Sequence, residues 1–256
     1  MIKTFFIFFS LAIFLHAAPN GNPADPAIIE EGFIIPDTCF ANFKLAYIYY
    51  NVSDLIMEFQ DPYKNDGYNV RKIEAFSNLA SMIIDFKERL DIYFNIGSYR
   101  LESEFRKNSN LYKSKSENDI FYQTGAKLAL FEIMDFTIGI DAKYSLFFAP
   151  SAYFTLNDKV VNENNLQYNF KEWQIGVGIA QKIAILRPYI GVAYKDTQLK
   201  LSNINSLEYS TLRLLHKKNA GVFLGASAST GSFVLANIEA RFVNERSIAL
   251  TLELRF

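Results

Sequence analysis

The stretch SIALTLELRF, from Ser247 to Phe256, alternates between two kinds of side chain. The apolar set comprises Ile248, Leu250, Leu252, Leu254 and Phe256, and the intervening set comprises Ser247, Ala249, Thr251, Glu253 and Arg255. Because successive side chains of a β-strand point to opposite faces, each set lies on its own side of an extended chain. The stretch therefore predicts a strand with one wholly apolar face and one charged face.

The same alternation recurs at 136–148, 172–181 and 233–242. From residue 28 onward, no uncharged apolar run approaches the roughly 20 residues that a membrane-spanning helix needs. A soluble β-sandwich also alternates, because one face of each sheet packs on a core. Periodicity by itself therefore leaves open whether the apolar faces contact a protein core or lipid.

The connections between the predicted strands favour apolar faces that contact lipid. Ten segments have strand character, at 43–58, 70–86, 89–104, 119–132, 135–148, 166–181, 188–201, 207–229, 233–243 and 247–256. Short turns alternate with longer polar connections, as in bacterial outer-membrane barrels with tight periplasmic turns and longer external loops. The sequence predicts an all-β fold, a transmembrane antiparallel β-barrel of about ten strands. Further strands within 151–157 and 207–229 would raise the number to twelve.

The first residues have the layout of a cleaved signal peptide. Lys3 precedes an apolar run from Phe5 to Leu15, and small residues follow at Ala17 and Ala18. The run is too short to span a bilayer, and an uncleaved anchor is the alternative. We predict a signal peptide over 1–17, a periplasmic segment over 18–42 and an outer-membrane β-barrel over 43–256.

Composition excludes some function classes. The formal net charge is -1, so the chain has no excess of positive charge that would favour binding to nucleic acid. The chain has 24 Phe and 15 Tyr residues, but its mean hydropathy of +0.04 is too low for a bundle of membrane helices. Cys39 is the one cysteine, so an intramolecular disulfide cannot form. A disulfide to another chain and an unpaired thiol both stay open for Cys39.

Four blocks of the sequence resemble the chlamydial major outer membrane protein family, a porin family. They are GNPADP at 21–26 and the segments 75–102, 169–195 and 216–256. The segment 169–195 is the most specific, because it contains EWQ and RPYIGV. The resemblance implies an outer-membrane barrel that passes ions and small solutes and often forms a trimer. This chain is shorter and lacks the family's many cysteines, which puts in doubt the pore width and membership of a disulfide-linked envelope layer.

Catalysis, cofactors and metals are not predicted. His16 lies in the predicted signal peptide, and His216 has the cationic neighbours Arg213, Lys217 and Lys218. These cations disfavour a protonated imidazole, and no nearby motif supplies an orienting acid. An outer-membrane hydrolase that uses His216 is therefore the least favoured hypothesis. The sequence contains no Cys/His cluster with metal-ligand spacing and no nucleotide-binding motif.

Charged residues on the inward positions of the predicted strands are the candidate lumen-lining set. The set is Lys127, Asp141, Lys143, Glu172, Lys195, Glu239, Arg241, Glu253 and Arg255. A Lys or Arg on the lipid face near the midplane would cost about 2–4 kcal/mol, so these side chains should face inward. They could line an aqueous path for small solutes, or Glu239, Arg241, Glu253 and Arg255 could pair across neighbouring strands and fill the lumen. Ten strands leave room for a narrow pore at most.

Aromatic residues near the strand ends suit a girdle at headgroup level, and the candidates are Tyr144, Trp173, Tyr194 and Phe256. The expected partners are outer-membrane lipid, the barrel-assembly machinery through the C-terminal strand ending at Phe256, and further copies in a homo-oligomer such as a trimer; no nucleic acid is expected. The favoured hypothesis is a channel for passive diffusion in the bacterial outer membrane. The alternative is a plugged barrel acting as a structural or adhesive surface protein.

Overall fold

The computed structural model describes residues 21–24, 26, 40–163, 165–229 and 233–256. The predicted signal peptide and Cys39 lie outside the described residues. Within them, the chain forms a single antiparallel sheet of fourteen strands. No helix in the described part is long and apolar enough to cross a bilayer.

Most of the connections between consecutive strands are short. They are β1 (Ala41–Leu55), β2 (Met57–Phe59), β3 (Tyr68–Phe86), β4 (Leu90–Lys107), β5 (Asn110–Ser116), β6 (Asp119–Ile133), β7 (Phe136–Leu156), β8 (Lys159–Val161), β9 (Gln167–Gln181), β10 (Leu186–Ser202), β11 (Thr211–His216), β12 (Ala220–Ser229), β13 (Val234–Phe242) and β14 (Glu245–Arg255).

Ten of these strands pair in a closed cycle. The order is β1, β3, β4, β6, β7, β9, β10, β12, β13 and β14, and β14 pairs back with β1. Every pairing is antiparallel, so backbone hydrogen-bonding groups along the ring find partners on both sides, as a membrane-spanning sheet requires. The predicted all-β fold, an antiparallel barrel of about ten strands, is confirmed.

The outward face of the ring is apolar on every strand. One exposed apolar side chain from each ring strand illustrates this, in chain order Tyr47, Met82, Ile92, Leu128, Phe136, Ile175, Val192, Leu224, Ile238 and Leu252. The alternating side chains point inward and are largely polar or charged in this part of the barrel. This is the arrangement of a barrel whose outer face contacts lipid.

The remaining short strands extend the wall beyond the ring, at the end with the longer connections. β5 pairs with the outer parts of β4 and β7, while β11 pairs with β10 and β2, and β2 lies against β3. We call this extension the outer collar: β2, β5 and β11 with the outer ends of β3, β4, β7, β9 and β10.

Several strand boundaries differ from the sequence prediction, among them those of the two segments in which the sequence left a further strand open. The predicted strand at 207–229 is two strands, β11 in the outer collar and β12 in the ring. The segment 151–157, considered as an extra strand, is the continuation of β7. Both differences arise because the alternation continues from the ring into the outer collar, so that periodicity does not mark where the membrane-spanning part ends.

The outer collar is filled by an apolar core. Its largest buried members include Leu79, Tyr99, Leu101, Phe105, Phe121, Phe147, Phe154, Tyr168, Phe170, Leu199 and Leu214. The rings of Tyr99 and Phe121 stack with centroids 4.7 Å apart, and those of Phe105 and Tyr112 stack at 5.2 Å. Such packing is that of a protein interior rather than of a water-filled vestibule.

Candidate functional site: the barrel interior

The candidate lumen-lining residues all lie inside the barrel and are all buried. Their exposed fractions range from 0% for Lys195, Glu239 and Arg255 to 8% for Glu172. In a wide water-filled channel these side chains would keep contact with solvent. Here they are covered by one another and by their neighbours, so the described interior is closely packed.

A central charged cluster joins two sides of the barrel. On β9 and β10, the Lys195 ammonium lies 3.2 Å from Oε2 of Glu172, and it also contacts Glu245 at the start of β14. On β13, Nε of Arg241 donates to Oε1 of Glu239 over 2.8 Å and lies 3.9 Å from Oε1 of Glu245. Glu245 is thus shared between two cations, which offsets part of the cost of burying its charge.

Neutral groups complete the central cluster. The Thr197 hydroxyl donates to Oε2 of Glu172 over 2.8 Å, and the Tyr189 hydroxyl donates to Oε2 of Glu239 over 2.9 Å. The guanidinium of Arg241 donates to the amide oxygen of Gln174 on β9. These hydrogen bonds fix the carboxylates and tie β13 to β9, which is not its neighbour in the ring.

An inner charged cluster lies near the end with the short turns. Nζ of Lys44 on β1 lies 3.0 Å from Oδ1 of Asp91 and 3.6 Å from both Oδ2 of Asp85 and Oε1 of Glu253. All four side chains are buried. Close by along β14, Arg255 pairs with Glu88 at 3.1 Å. One ammonium thus holds three carboxylates from β3, β4 and β14.

The four charged residues considered for pairing between β13 and β14 have other partners in the structure. Glu239 and Arg241 pair along one strand, whereas Glu253 pairs with Lys44 and Arg255 with Glu88. None of these contacts joins β13 to β14. These contacts run along β13, to β1 and to the turn after β3, because side chains in the barrel interior reach across the lumen as well as along the ladder.

Four members of the two clusters were missed by the sequence prediction, namely Lys44, Asp85, Asp91 and Glu245. A signal was present for the first three, because each lies between outward-facing neighbours in an alternating segment. Lys44, for example, lies between Phe43 and Leu45. Glu245 follows the tight turn at Asn244, where alternation gives no guidance.

Lys127 and Asp141 lie opposite each other on β6 and β7, and both are buried. The Tyr93 hydroxyl donates to Oδ1 of Asp141 over 2.7 Å. Lys143, two residues further along β7, is also buried and lies level with Gln174 of β9. The interior wall formed by β6 and β7 is therefore charged as well, and equally closed to solvent.

Residues 21–24 and 26, which we call the lumenal segment, also lie in the barrel interior. Asn22 and Ala24 are each 1% exposed, and Ala24 packs with Tyr189 and Phe223. Inward-facing glycines make room for the segment: a Cβ atom on Gly139 would collide with the backbone of Pro23 and Ala24. Residues 21–24 and 26 of the predicted periplasmic segment, 18–42, therefore lie within the barrel, whereas Ala41 and Asn42 begin β1.

Beyond the central cluster, the apolar core of the outer collar begins at once. Phe170 lies two residues along β9 from Glu172, and both side chains are buried. A cavity of about 10 Å³ remains between the two layers, lined by residues that include Tyr99 and Lys143. This is room for about one water molecule. The described interior is thus filled at three levels, by the inner cluster, the central cluster with the lumenal segment, and the apolar core.

The girdle candidates face outward. Tyr144, Trp173 and Tyr194 are 43%, 43% and 48% exposed, and the rings of Trp173 and Tyr194 lie 5.5 Å apart on adjacent strands. Phe256 contacts Phe43, with ring centroids 6.3 Å apart. Tyr144, Trp173 and Tyr194 lie toward the outer collar, whereas Phe256 lies at the opposite end of the ring.

His216 ends β11, in the outer collar. It is 7% exposed, and its Nε2 lies 3.1 Å from the backbone oxygen of Asn244. Burial, followed by the nearby Lys195 ammonium, lowers the pKa of His216 to about 4. Such an imidazole is neutral at physiological pH, and its recorded hydrogen bond is to a backbone carbonyl rather than to a carboxylate. The described residues include no group of three or more His, Cys, Asp or Glu side chains placed to hold a metal ion. That the chain catalyses no reaction stays a prediction.

Comparison with known proteins gives a distant relative. No protein-family model matches the sequence. The chain is 21% identical to the major outer membrane porin, serovar D, of Chlamydia trachomatis over an alignment of 315 residues that covers 86% of this chain and 78% of the porin.

Among solved structures, the outer membrane protein OprG from Pseudomonas aeruginosa is similar with a TM-score of 0.40 and 8% identity, over 89% of this chain and 99% of OprG. The outer membrane protease OmpT from Escherichia coli is similar with a TM-score of 0.41 and 11% identity, over 84% of this chain and 96% of OmpT. With its apolar outer band and its distant porin relative, the chain is an outer-membrane β-barrel protein of the bacterial cell, with at most a distant relationship to outer-membrane porins.

Proposed function

We propose that this chain is a closed outer-membrane barrel that acts as a structural protein of the bacterial envelope and presents its outer collar at the cell surface. The observation that carries the proposal is the burial of the candidate lumen-lining charges, none of which is more than 8% exposed. A path for solutes needs side chains in contact with water along its length, and the described interior supports instead a stable, filled barrel.

A second candidate function is a narrow channel for passive diffusion of ions and small polar solutes. Two observations favour it: the membrane-spanning half of the interior is charged rather than apolar, and the distant relative is described as a porin. Conduction would require the lumenal segment to leave the barrel and the aromatic layer around Phe147 to separate. The channel hypothesis therefore requires a second, open conformation of the same barrel.

Single-channel current in a planar bilayer tests the two candidates. The protein comprising 18–256 is compared with a version that starts at residue 27, and with the Glu239→Ala/Arg241→Ala double variant. We expect a silent bilayer for the first protein, although the heat-resistant folded band on a gel shows that the barrel is present. Discrete current steps would overturn the closed barrel, and steps seen only without the lumenal segment would favour a channel that this segment blocks.

Assembly into a homo-oligomer such as a trimer, and recognition of the C-terminal strand by the barrel-assembly machinery, complete the proposal. Mass measurement of the refolded protein in detergent tests the first. Replacement of Phe256 by Ala tests the second through the yield of folded barrel in cells.

A further inference from the structure

The outward face of the outer collar carries three cations close together on adjacent strands. Lys171 is on β9, Lys200 on β10 and Arg213 on β11, and Lys200 is the direct cross-strand partner of Arg213. With Gln60, Asn169, Gln198 and others they line a surface groove of about 490 Å³. We call this feature the cationic groove. Its lining combines positive charge with amide side chains.

These cations lack the carboxylate partners found on the other side of the same collar. There, Arg71 pairs with Glu104 at 2.9 Å, and Lys115 pairs with Glu102 at 2.7 Å. In the described part of the chain, by contrast, no ion pair is formed by any of the three groove cations. The collar wall is therefore electrostatically uneven, with balanced charges on one side and unbalanced positive charge on the other.

Of the described acidic residues near the groove, Asp196 and Glu58 form no ion pair with its three cations. Asp196 is on the outward side of β10, closer to the membrane than Lys200, and is paired along the ladder with Trp173. Glu58 on β2 pairs with Lys64 at 3.0 Å. The groove thus keeps an excess of positive charge, which attracts an anionic group from outside the chain.

The height of the groove indicates the source of the anion. Lys171 and Trp173 project from the same face of β9, two residues or about 7 Å apart. The aromatic pair formed by Trp173 and Tyr194 marks the edge of the apolar band, where rings sit at headgroup level. The groove therefore begins just beyond the acyl chains of the outer leaflet, level with the charged headgroups of the lipids there.

We propose that the cationic groove binds the phosphate groups on the sugar headgroup of an outer-leaflet glycolipid. A guanidinium can hold a phosphate through two parallel hydrogen bonds, as Arg213 would, while Lys171 and Lys200 supply compact positive charges. The amides of Gln60, Asn169 and Gln198 can donate to and accept from sugar hydroxyls. The acyl chains of the same lipid would lie along the apolar band below, beside Trp173.

Lipid binding in nanodiscs tests this proposal. The protein is inserted with bisphosphorylated lipid A, with the same lipid after phosphatase treatment, or with phosphatidylcholine, and retained lipid is measured by native mass spectrometry. The test variant is Lys171→Gln/Lys200→Gln/Arg213→Gln. The matched control, Arg100→Gln/Lys113→Gln/Lys115→Gln, removes the same charge from the collar wall where cations are paired. The heat-resistant gel band checks that each variant folds, and Lys200→Gln replaces the triple variant if it does not.

The expected result is at least tenfold weaker retention of bisphosphorylated lipid A by the groove variant, with the control unchanged and the dephosphorylated lipid bound weakly by all proteins. Equal retention by the groove variant and the native chain would overturn the proposal. A separate arm adds inorganic phosphate. If it displaces the lipid at millimolar concentration and binds with equal strength by itself, the groove is a site for free anions and the lipid assignment is wrong.

Discussion

Cγ of Pro23 lies 3.2 Å from the point where a Cβ atom on Gly178 would sit. The proline belongs to the lumenal segment and the glycine to the inward face of β9, so the two form a close contact between the segment and the wall. Phe223 closes the same space from β12, 3.3 Å from that point. A side chain at position 178 would therefore compete directly with the lumenal segment for room.

Replacing Gly178 with Val should loosen the lumenal segment while the ring stays intact. Overpacking an interior costs about 1–3 kcal/mol, and the segment has fewer contacts to lose than the paired strands. The measurement is the rate at which a maleimide labels Ala24→Cys in a Cys39→Ser background. We expect labelling at least tenfold faster in the Gly178→Val protein, because Ala24 is 1% exposed in the native structure.

The control for this experiment is Ala142→Val, which introduces the same valine side chain on the outward face of β7, where Ala142 is exposed. Its labelling rate should equal that of the parent protein. Fast labelling in the parent itself would contradict the placement of the segment in the barrel.

Replacing Lys44 with Met should destabilise the barrel strongly. The change leaves Asp85, Asp91 and Glu253 buried without their shared cation, and removing one partner of a buried pair costs about 3–5 kcal/mol. Urea unfolding in lipid vesicles measures the loss. As a control, Lys113→Met breaks the solvent-exposed pair with Asp158 and should cost less than about 1 kcal/mol. Similar losses in both variants would argue against a special role for the inner cluster.

Val192→Arg tests the lipid-facing band. Val192 is 61% exposed on the outward face of β10, within the apolar band. A charge near the midplane should lower the free energy of unfolding in vesicles by about 2–4 kcal/mol. Ser202→Arg lies on the same strand and side but in the outer collar, and should be nearly neutral. Equal effects at both positions would mean that the band does not face lipid.

Stability should fall on acidification through His216. The pKa of His216 is lowered to about 4 in the folded chain, against about 6.5 in an unfolded one. Between these two pH values the imidazole is protonated in the unfolded chain and neutral in the folded chain. The contribution is present above pH 6.5 and is lost as pH falls toward 4, by about 1–3 kcal/mol. His216→Gln keeps a donor for the Asn244 oxygen and should flatten this part of the curve. Identical slopes for the two proteins would exclude His216 as the cause.

Much of the ring could be predicted from the sequence because lipid imposes a strict rule on each strand. Side chains that face lipid must be largely apolar. Alternation along β14 therefore predicts that Leu250 points outward and Thr251 points inward, as the structure has them. The number of strands follows from the rhythm of the connections. In the outer collar this rule does not hold. Inward positions there, such as Phe147 and Leu201, are apolar, and the outward positions are polar. The alternation therefore continues from the ring into the collar, but the apolar residues change from the outer face to the inner face.

Most members of the charged clusters could be predicted from alternation, with Glu245 as an exception, but their pairing could not. Alternation shows that Arg255 points inward, but its contact with Glu88 depends on how the strands are staggered around the ring. The burial of the lumenal segment had no local signal at all. GNPADP has no periodicity, and the place of residues 21–24 in the barrel depends on Gly139 and Gly178, more than a hundred residues away.

The pairing of β1 with β14 has a consequence for how the barrel forms. Leu45 lies opposite Leu254, so the seam joins the two strands that are furthest apart along the chain. Until that seam closes, both strands present free hydrogen-bonding edges, which are templates for pairing with other molecules. Contacts between such distant segments form slowly, because the loop that they close is long. An unclosed barrel is therefore an aggregation-prone intermediate, and the time that the chain spends before the seam closes sets how long its strand edges stay exposed.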